Sequence, residues 1–160
     1  MSVGRFFAMV GALVRRSTDG RYLVLKRSAG KDFAAGAWEC VTGRVDQGES
    51  FSEAVRREVF EELGVEAELE FIVGTAHFYR GEAKPENEII GVQYSCVIEE
   101  PEAIARSWEH AEHRWITAEE AEAMLPAGHW LREAIRRAEV IRGLLPSELL
   151  GFYRGNGFEL

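Results

Sequence analysis

Five glutamates, Arg57 and two framing glycines fall within the 23 residues from Gly43 to Val65, which read Gly43-Arg-Val-Asp-Gln-Gly-Glu49-Ser-Phe-Ser-Glu-Ala-Val-Arg-Arg57-Glu58-Val-Phe-Glu61-Glu62-Leu-Gly64-Val65. On a helix of 3.6 residues per turn, Glu58, Glu61 and Glu62 span an arc of roughly 100°. The apolar residues Phe51, Val55, Val59 and Leu63 form the neighbouring stripe, and Glu62 projects into its edge. A solvated charged face would set its acids opposite that stripe. Here they crowd against the side that must be buried, where an unpaired carboxylate is costly. Like charges at helical neighbour spacing also repel by about 0.2–0.5 kcal/mol per pair. A bound divalent cation removes both costs, and an all-oxygen donor set suits Mg²⁺ or Mn²⁺. The plainer alternative is a surface helix laced by Glu53–Arg57–Glu61 ion pairs.

The complete spacing is glycine, five residues, glutamate, seven residues, then Arg-Glu-apolar-any-Glu-Glu-any-Gly-apolar. It resembles the Nudix box at every fixed position. The resemblance implies an α/β fold, the Nudix α/β/α sandwich built on a mixed β-sheet. It implies a hydrolase of phosphoric anhydride bonds that uses Mg²⁺ (or Mn²⁺) to cleave a nucleoside diphosphate linked to another group. By position, Glu61 and Glu62 match metal ligands, and Glu58 matches a residue that ligates metal or acts as base. Arg57 matches the arginine that orients acidic side chains, Glu49 among them. Thr42 and Gly43 occupy the loop whose main-chain carbonyl completes the metal shell. The chemistry is consistent with charge: pyrophosphate oxygens repel a nucleophile, metal neutralises them, and a carboxylate in reach of water takes its proton.

Most family members carry Pro-Gly-Gly before the box, whereas this chain has Trp38-Glu39-Cys40-Val41-Thr42-Gly43. That entrance resembles the branch containing dihydroneopterin triphosphate pyrophosphohydrolase. The Glu109-His110 pair ahead of Trp115 resembles the same branch and makes Glu109 a candidate further ligand or general base. Glu112 and the acids Glu86 and Glu88 are its rivals. Trp38, Phe78, Tyr79 and Trp108 are candidates to stack on a base or pterin, with core packing as the alternative for each. Arg27, with Lys26, is a candidate phosphate contact, with simple solvent exposure as the alternative. His110 and His113 do not follow the His-Glu-x-x-His zinc pattern and lack a third soft ligand. One is expected to be structural and the other to sit at the rim of the site.

These residues need elements to position them. The apolar runs Phe6 to Val14 and Tyr22 to Leu25, with Ser17-Thr18-Asp19-Gly20 between, predict a hairpin. A loop follows from Ser28 to Gly36, then a short strand from Trp38 to Val41. Ser50 with Glu53 forms a capping box, so a helix runs from there to Leu63 and stops at Gly64. Strands are expected at Val65 to Val73, Thr75 to Tyr79, Glu88 to Ile98 and His113 to Ile116, with a polar loop from Gly81 to Asn87. Thr117 and Glu120 cap a second helix reaching about Leu125. A third spans Trp130 to Leu145 with Leu131, Ile135, Ala138, Ile141 and Leu145 along one side. The tail from Pro146 to Leu160 is too apolar to be solvated, and is expected to pack on the body or on a second subunit, which allows a homodimer.

The chain has 160 residues, 46% of them hydrophobic, enough for one domain over residues 1–160 with a sizeable core. Its 19 basic and 27 acidic residues give a net charge of −8, which disfavours nonspecific binding to nucleic acid polymers or anionic membranes. A small phosphorylated substrate remains compatible, because bound metal inverts the local field. Cys40 and Cys96 match no paired metal spacing and read as buried, reduced thiols of a cytoplasmic protein. The Phe6 to Val14 run leads into Arg15-Arg16 without a cleavage-like site and reads as a strand, not a leader. The leading function is pyrophosphohydrolysis of a nucleoside triphosphate or related compound. Dihydroneopterin triphosphate, ADP-ribose, nucleotide sugars and dinucleoside polyphosphates are further substrate classes. A non-catalytic ligand-sensing module and an isopentenyl diphosphate isomerase, to which Cys40 draws attention, are the competing classes.

Overall fold

A computed structural model describes residues 5–30, 34–105 and 107–160. Residues 31–33, part of the loop expected from Ser28 to Gly36, lie outside that set. The predicted hairpin forms: β1 (Phe7–Arg16) and β2 (Tyr22–Arg27) join through the Ser17–Gly20 turn, with Arg15 opposite Tyr22. Beyond that corner the two strands diverge. β1 pairs antiparallel with β4 (Val41–Arg44) and parallel with β6 (Glu88–Ile98), whereas β2 pairs with β3 (Trp38–Glu39) and β7 (His110–Ile116). β5 (Glu68–Tyr79) closes the far edge against β6. The result is a mixed seven-stranded sheet.

Strand alternation sends β1 side chains to two different cores. Val10, Ala12 and Val14 meet α1 (Phe51–Leu63), whose Ala54, Val55, Val59 and Leu63 are fully buried. Leu13 faces the other way, with Tyr22, Val24 and Phe71, onto α2 (Ala118–Met124) and α3 (Trp130–Leu144). Ala121, Leu131, Ile135 and Ala138 are the helical side of that second core. Helices on both faces of one mixed sheet make an α/β/α sandwich.

The capping boxes form as the sequence indicates. The Ser50 hydroxyl accepts from the Glu53 amide at 3.2 Å, and the Glu53 carboxylate accepts from the Ser50 amide at 2.8 Å. Gly64 ends α1 in the left-handed conformation, φ 70°, where a glycine has no Cβ clash. Thr117 and Glu120 repeat the box at α2.

Several boundaries differ from expectation, among them β7, which starts at His110 and not at His113. The Trp38 to Val41 strand is two strands that part at Cys40, because β2 claims Trp38–Glu39 and β1 claims Val41–Arg44. The strands expected on either side of Gly74 are one, whose pairing with β6 continues through register shifts at Leu69/Phe71 and Ile72/Gly74. The tail contains a fourth helix, α4 (Ser147–Asn156), which Gly151 and Gly155 conceal from propensity reasoning. After it, Phe158 stacks on Tyr153 and meets the Tyr94 ring of β6 edge-on.

α3 is fastened to the sheet by charge as well as by packing. Glu70, 4% exposed, accepts from Arg142 at 2.8 and 2.9 Å, from Arg15 at 3.0 Å and from the Ser95 hydroxyl at 2.9 Å. Burial pushes the Glu70 carboxyl up, but the bonds and charges of Arg142 and Arg15 outweigh it and leave the group below its ordinary value. A carboxyl depressed in the folded state lends stability above its unfolded pKa and loses it as pH falls through the folded value. Glu70→Leu leaves Arg142 without its acid and is expected to cost about 3–5 kcal/mol in a urea melt at neutral pH. The variant's stability should also fall less steeply than the wild type's as pH drops below the ordinary carboxylate value of 4.5.

Candidate active site

α1 is at once a core helix and an acid-bearing one, so the sheet that buries its apolar stripe also sets where its carboxylates lie. Arg57 is the hub. Its Nε and Nη2 donate to the two Glu49 oxygens at 2.8 and 2.9 Å, a bidentate pair that locks the Gly48 loop to the helix. Nη1 donates to Glu58 at 2.7 Å and to Glu61 at 3.3 Å, and Nη2 also donates to the Arg44 carbonyl at 2.8 Å. One guanidinium thus ties the loop, the helix and β4 together. Its hydrogen bonds, first of all, hold the Glu49 carboxyl far below the usual range, at about 2.

Glu58 lies alongside Gly43. A Cβ built on Gly43 would stand 1.7 Å from the Glu58 carboxyl carbon, so the carboxyl keeps this position only opposite glycine. Burial pushes the Glu58 carboxyl above its ordinary value despite Arg57, and the charges of Glu61 and Glu109 push the same way. Glu62 is 7% exposed, on the core side, as its place at the stripe's edge predicts. Glu61 points outward, its side chain 57% exposed. Glu53, which the ion-pair alternative gave to Arg57, serves the Ser50 cap instead, while the Arg57–Glu61 half of that alternative is present.

The loop before β7 docks on the C-terminal end of α1. The Ala105 amide donates to the Leu63 carbonyl and the Ser107 amide to the Glu62 carbonyl, both at 2.8 Å, using helix-end acceptors that lack intrahelical partners. Ser28 receives the same loop, donating from its amide to the Glu109 carbonyl and from its hydroxyl to the Trp108 carbonyl. Glu109 is thereby brought close enough to raise the Glu58 carboxyl. Its rivals lie elsewhere. Glu112 pairs with Arg114 and Lys26, and Glu88 meets His77 near the far end of β5.

Arg27 turns inward and clamps Glu39 at 2.9 and 2.8 Å. Glu39 in turn bonds His110 Nε2 at 3.0 Å, and His110 Nδ1 lies 3.8 Å from Glu62. Glu39 and His110, both buried, are the members of this arrangement to which sequence reasoning gave no role at the carboxylates. The available signal was a glutamate placed between apolar neighbours in a short strand. His113 sits across from Leu25 on β7. Trp38 is held on the opposite sheet face, with Lys26 and Arg114 over its ring at 5.7 and 5.0 Å. Phe78 shares a face with Ile89 at the outer end of β5, and Tyr79 meets His77 edge-on. The structure therefore gathers Glu49, Arg57, Glu58, Glu61, Glu62 and Glu109 around α1, and leaves Trp38 with the core on the other face of the sheet. Thr42 stands beside Gly43 on β4.

Among the described residues, no three acidic, imidazole or thiol groups converge as a ready metal cage. The donor set nonetheless fits a hard divalent cation in kind: every acidic side chain here offers oxygen, and Glu58 is seated against backbone by the missing Cβ of Gly43. Cys40 is fully buried, its thiol pushed up to about 12 by burial, and Cys96 is buried and free as well.

An acid-bearing helix laid on a mixed sheet and braced by one arginine is the site that this α/β/α sandwich presents. The model of the NUDIX domain matches residues 6–138, and the chain belongs to that family. A CTP pyrophosphohydrolase of Escherichia coli (strain K12) is 41% identical over 63 residues, 39% of this chain and 44% of that protein. An isopentenyl-diphosphate Delta-isomerase of Klebsiella pneumoniae (strain 342) is 33% identical over 116 residues, 70% of this chain and 62% of that protein. The curated relatives are matched over 33% to 62% of their own length. Among solved structures, the MutT protein of Methanosarcina mazei Go1 superposes with a TM-score of 0.71 at 28% identity, covering 89% of this chain and 99% of that one. No described helix is long and apolar enough to cross a membrane.

Gly43→Ala tests the cradle directly. The added methyl must displace the Glu58 carboxyl, the end of a flexible side chain, at an expected stability cost below about 1 kcal/mol. A denaturant melt reads the loss, and the Glu58 side-chain resonances should shift while those of Glu70 do not.

Proposed function

We propose that this protein is a Mg²⁺- or Mn²⁺-dependent pyrophosphohydrolase that cleaves a nucleoside triphosphate, or a similar nucleoside diphosphate-linked compound, by attack of water on phosphorus. The observation that carries this reading is the Arg57 hub, which holds Glu49, Glu58 and Glu61 together beside the glycine cradle. Glu58, Glu61 and Glu62, with main-chain oxygen at Thr42 or Gly43, would hold the cation. When bound, it neutralises phosphate oxygens and acidifies water. The protein's own part is positional. Arg57 fixes the directions of Glu49 and Glu58, Gly43 sets the depth of Glu58, and Glu62 is seated at the core's edge beside His110. Glu58 or Glu109 takes the proton from the attacking water.

The similarity to a CTP pyrophosphohydrolase supports a nucleoside triphosphate as the first substrate class to test. The Trp38-Glu39-Cys40-Val41-Thr42-Gly43 entrance and Glu109 favour dihydroneopterin triphosphate as the second reading. An isomerase that moves protons through a cysteine is a poorer match. Cys40 is inaccessible, it receives a hydrogen bond from the Gln93 amide at 3.1 Å, and its thiol stays protonated at neutral pH.

A product assay should decide. The purified chain with Mg²⁺ or Mn²⁺ is expected to release phosphate products from nucleoside triphosphates or dihydroneopterin triphosphate, and to leave isopentenyl diphosphate unchanged. ADP-ribose and dinucleoside polyphosphates complete the panel, ranked by kcat/KM. Glu58→Gln should lower kcat by roughly 10²- to 10⁴-fold if it is the base. Glu109→Gln showing that loss instead would transfer the role. Absence of hydrolysis across the panel, together with unchanged metal affinity in Glu61→Gln, would overturn the reading.

A further inference from the structure

The acid-bearing helix is gripped at its N-terminal end by a residue more than a hundred positions away. Ser52, the second residue of α1, is 6% exposed and shares the buried stripe with Val55, Val59 and Leu63. Its amide is one of the helix-end donors with no intrahelical partner. That amide donates to Glu159 Oε1 at 2.7 Å, and the Ser52 hydroxyl donates to Glu159 Oε2 at 2.6 Å. A single carboxylate thus satisfies two buried donors at the positive end of the helix dipole. Ser50 already covers the Glu53 amide, so the two caps divide the first turn between them.

Glu159 is itself held in place. Phe158 stacks on Tyr153 with ring centres 4.7 Å apart and plugs edge-on against buried Tyr94 at 5.4 Å, joining the core that lines α1. This segment lies outside residues 6–138, the span shared with the family model. The opposite end of α1 is fixed by Ala105 and Ser107. Between these two grips sits the Gly43 cradle, where one methyl group would collide with Glu58. Any tilt of α1 carries Glu58 with it.

We infer that Glu159 is a positioning residue for catalysis: acting through Ser52, it seats α1 so that Glu58 and Glu62 stand at their working depth. The kinetic part of this inference rests on the metal-dependent hydrolase reading above; the seating itself does not. Glu159→Ala and Ser52→Ala, made singly and together in the full chain, test it. In the metal-free protein, hydrogen exchange at the first-turn amides of α1 should accelerate in Glu159→Ala, most at Ser52. With nucleoside triphosphate as substrate, kcat should fall roughly tenfold. The Mg²⁺ concentration for half-maximal rate should rise, while KM stays within about twofold. Ser52→Ala, which keeps the amide bond, should show a smaller change, and the double variant should be no worse than Glu159→Ala. Unaltered exchange would overturn the inference, as would unchanged kcat and Mg²⁺ dependence in an active, fully folded variant. If the wild type hydrolyses nothing, the functional reading fails alone, and exchange together with calorimetric Mn²⁺ affinity of the variants decides the seating.

Discussion

The arrangement of this protein turns on one guanidinium. Arg57 bonds to Glu49, Glu58, Glu61 and the Arg44 carbonyl, fixing a strand, a loop and a helix that follow one another in the chain. Three carboxylates within reach of one another repel, and in a partly buried setting that repulsion is screened less than in water. The planar fork of arginine meets two of them in fixed geometry, which an ammonium group would not. Burial still wins at Glu58, whose carboxyl stays above its ordinary value, and loses at half-buried Glu49, where the Arg57 hydrogen bonds hold the carboxyl at about 2. The same cation therefore leaves two acids in opposite electrostatic conditions.

Everything else secures the helix on which Arg57 sits. The inward face of β1 and the stripe of α1 form one core, and a second core under α3 holds the sheet from behind. The loop carrying Glu109 reaches the site by using the C-terminal carbonyls of α1, so a general feature of helix ends becomes the means of delivering a charged residue. The Arg27–Glu39–His110 series fills the space between β2, β3 and β7 beside Glu62. Arg27, Glu39 and His110 are tolerated there because each bonds another of the three, although His110 Nδ1 itself makes no hydrogen bond.

Glycine and cysteine show how the sheet's other face is built. A Cβ on Gly11 would overlap the Gln93 side chain, and that amide lies close enough to bond the Cys40 sulfur. The thiol is thereby a packing and hydrogen-bonding group. This is why a cysteine next to the box, which on sequence alone kept an isomerase reading in play, is poorly placed for proton transfer.

Local pattern was enough for much of this. The capping boxes at Ser50 and Thr117, the stop at Gly64, the hairpin before Tyr22 and the acid arc of α1 all follow from short-range chemistry and helical or strand period, and each is present. The box spacing also carried the family. What local pattern could not decide depended on partners distant in sequence. Pairing with β2 and β1 split the chain at Cys40, pairing with β6 carried β5 through Gly74, and glycines hid α4. Arg27 looked like a free cation because nothing nearby in sequence announces Glu39 as its buried acid. The sequence by itself determined which residues bear charge and on which face of α1; only the tertiary structure decided how deep each carboxylate sits, because depth is set by the sheet, the docked loop and the missing Cβ of Gly43.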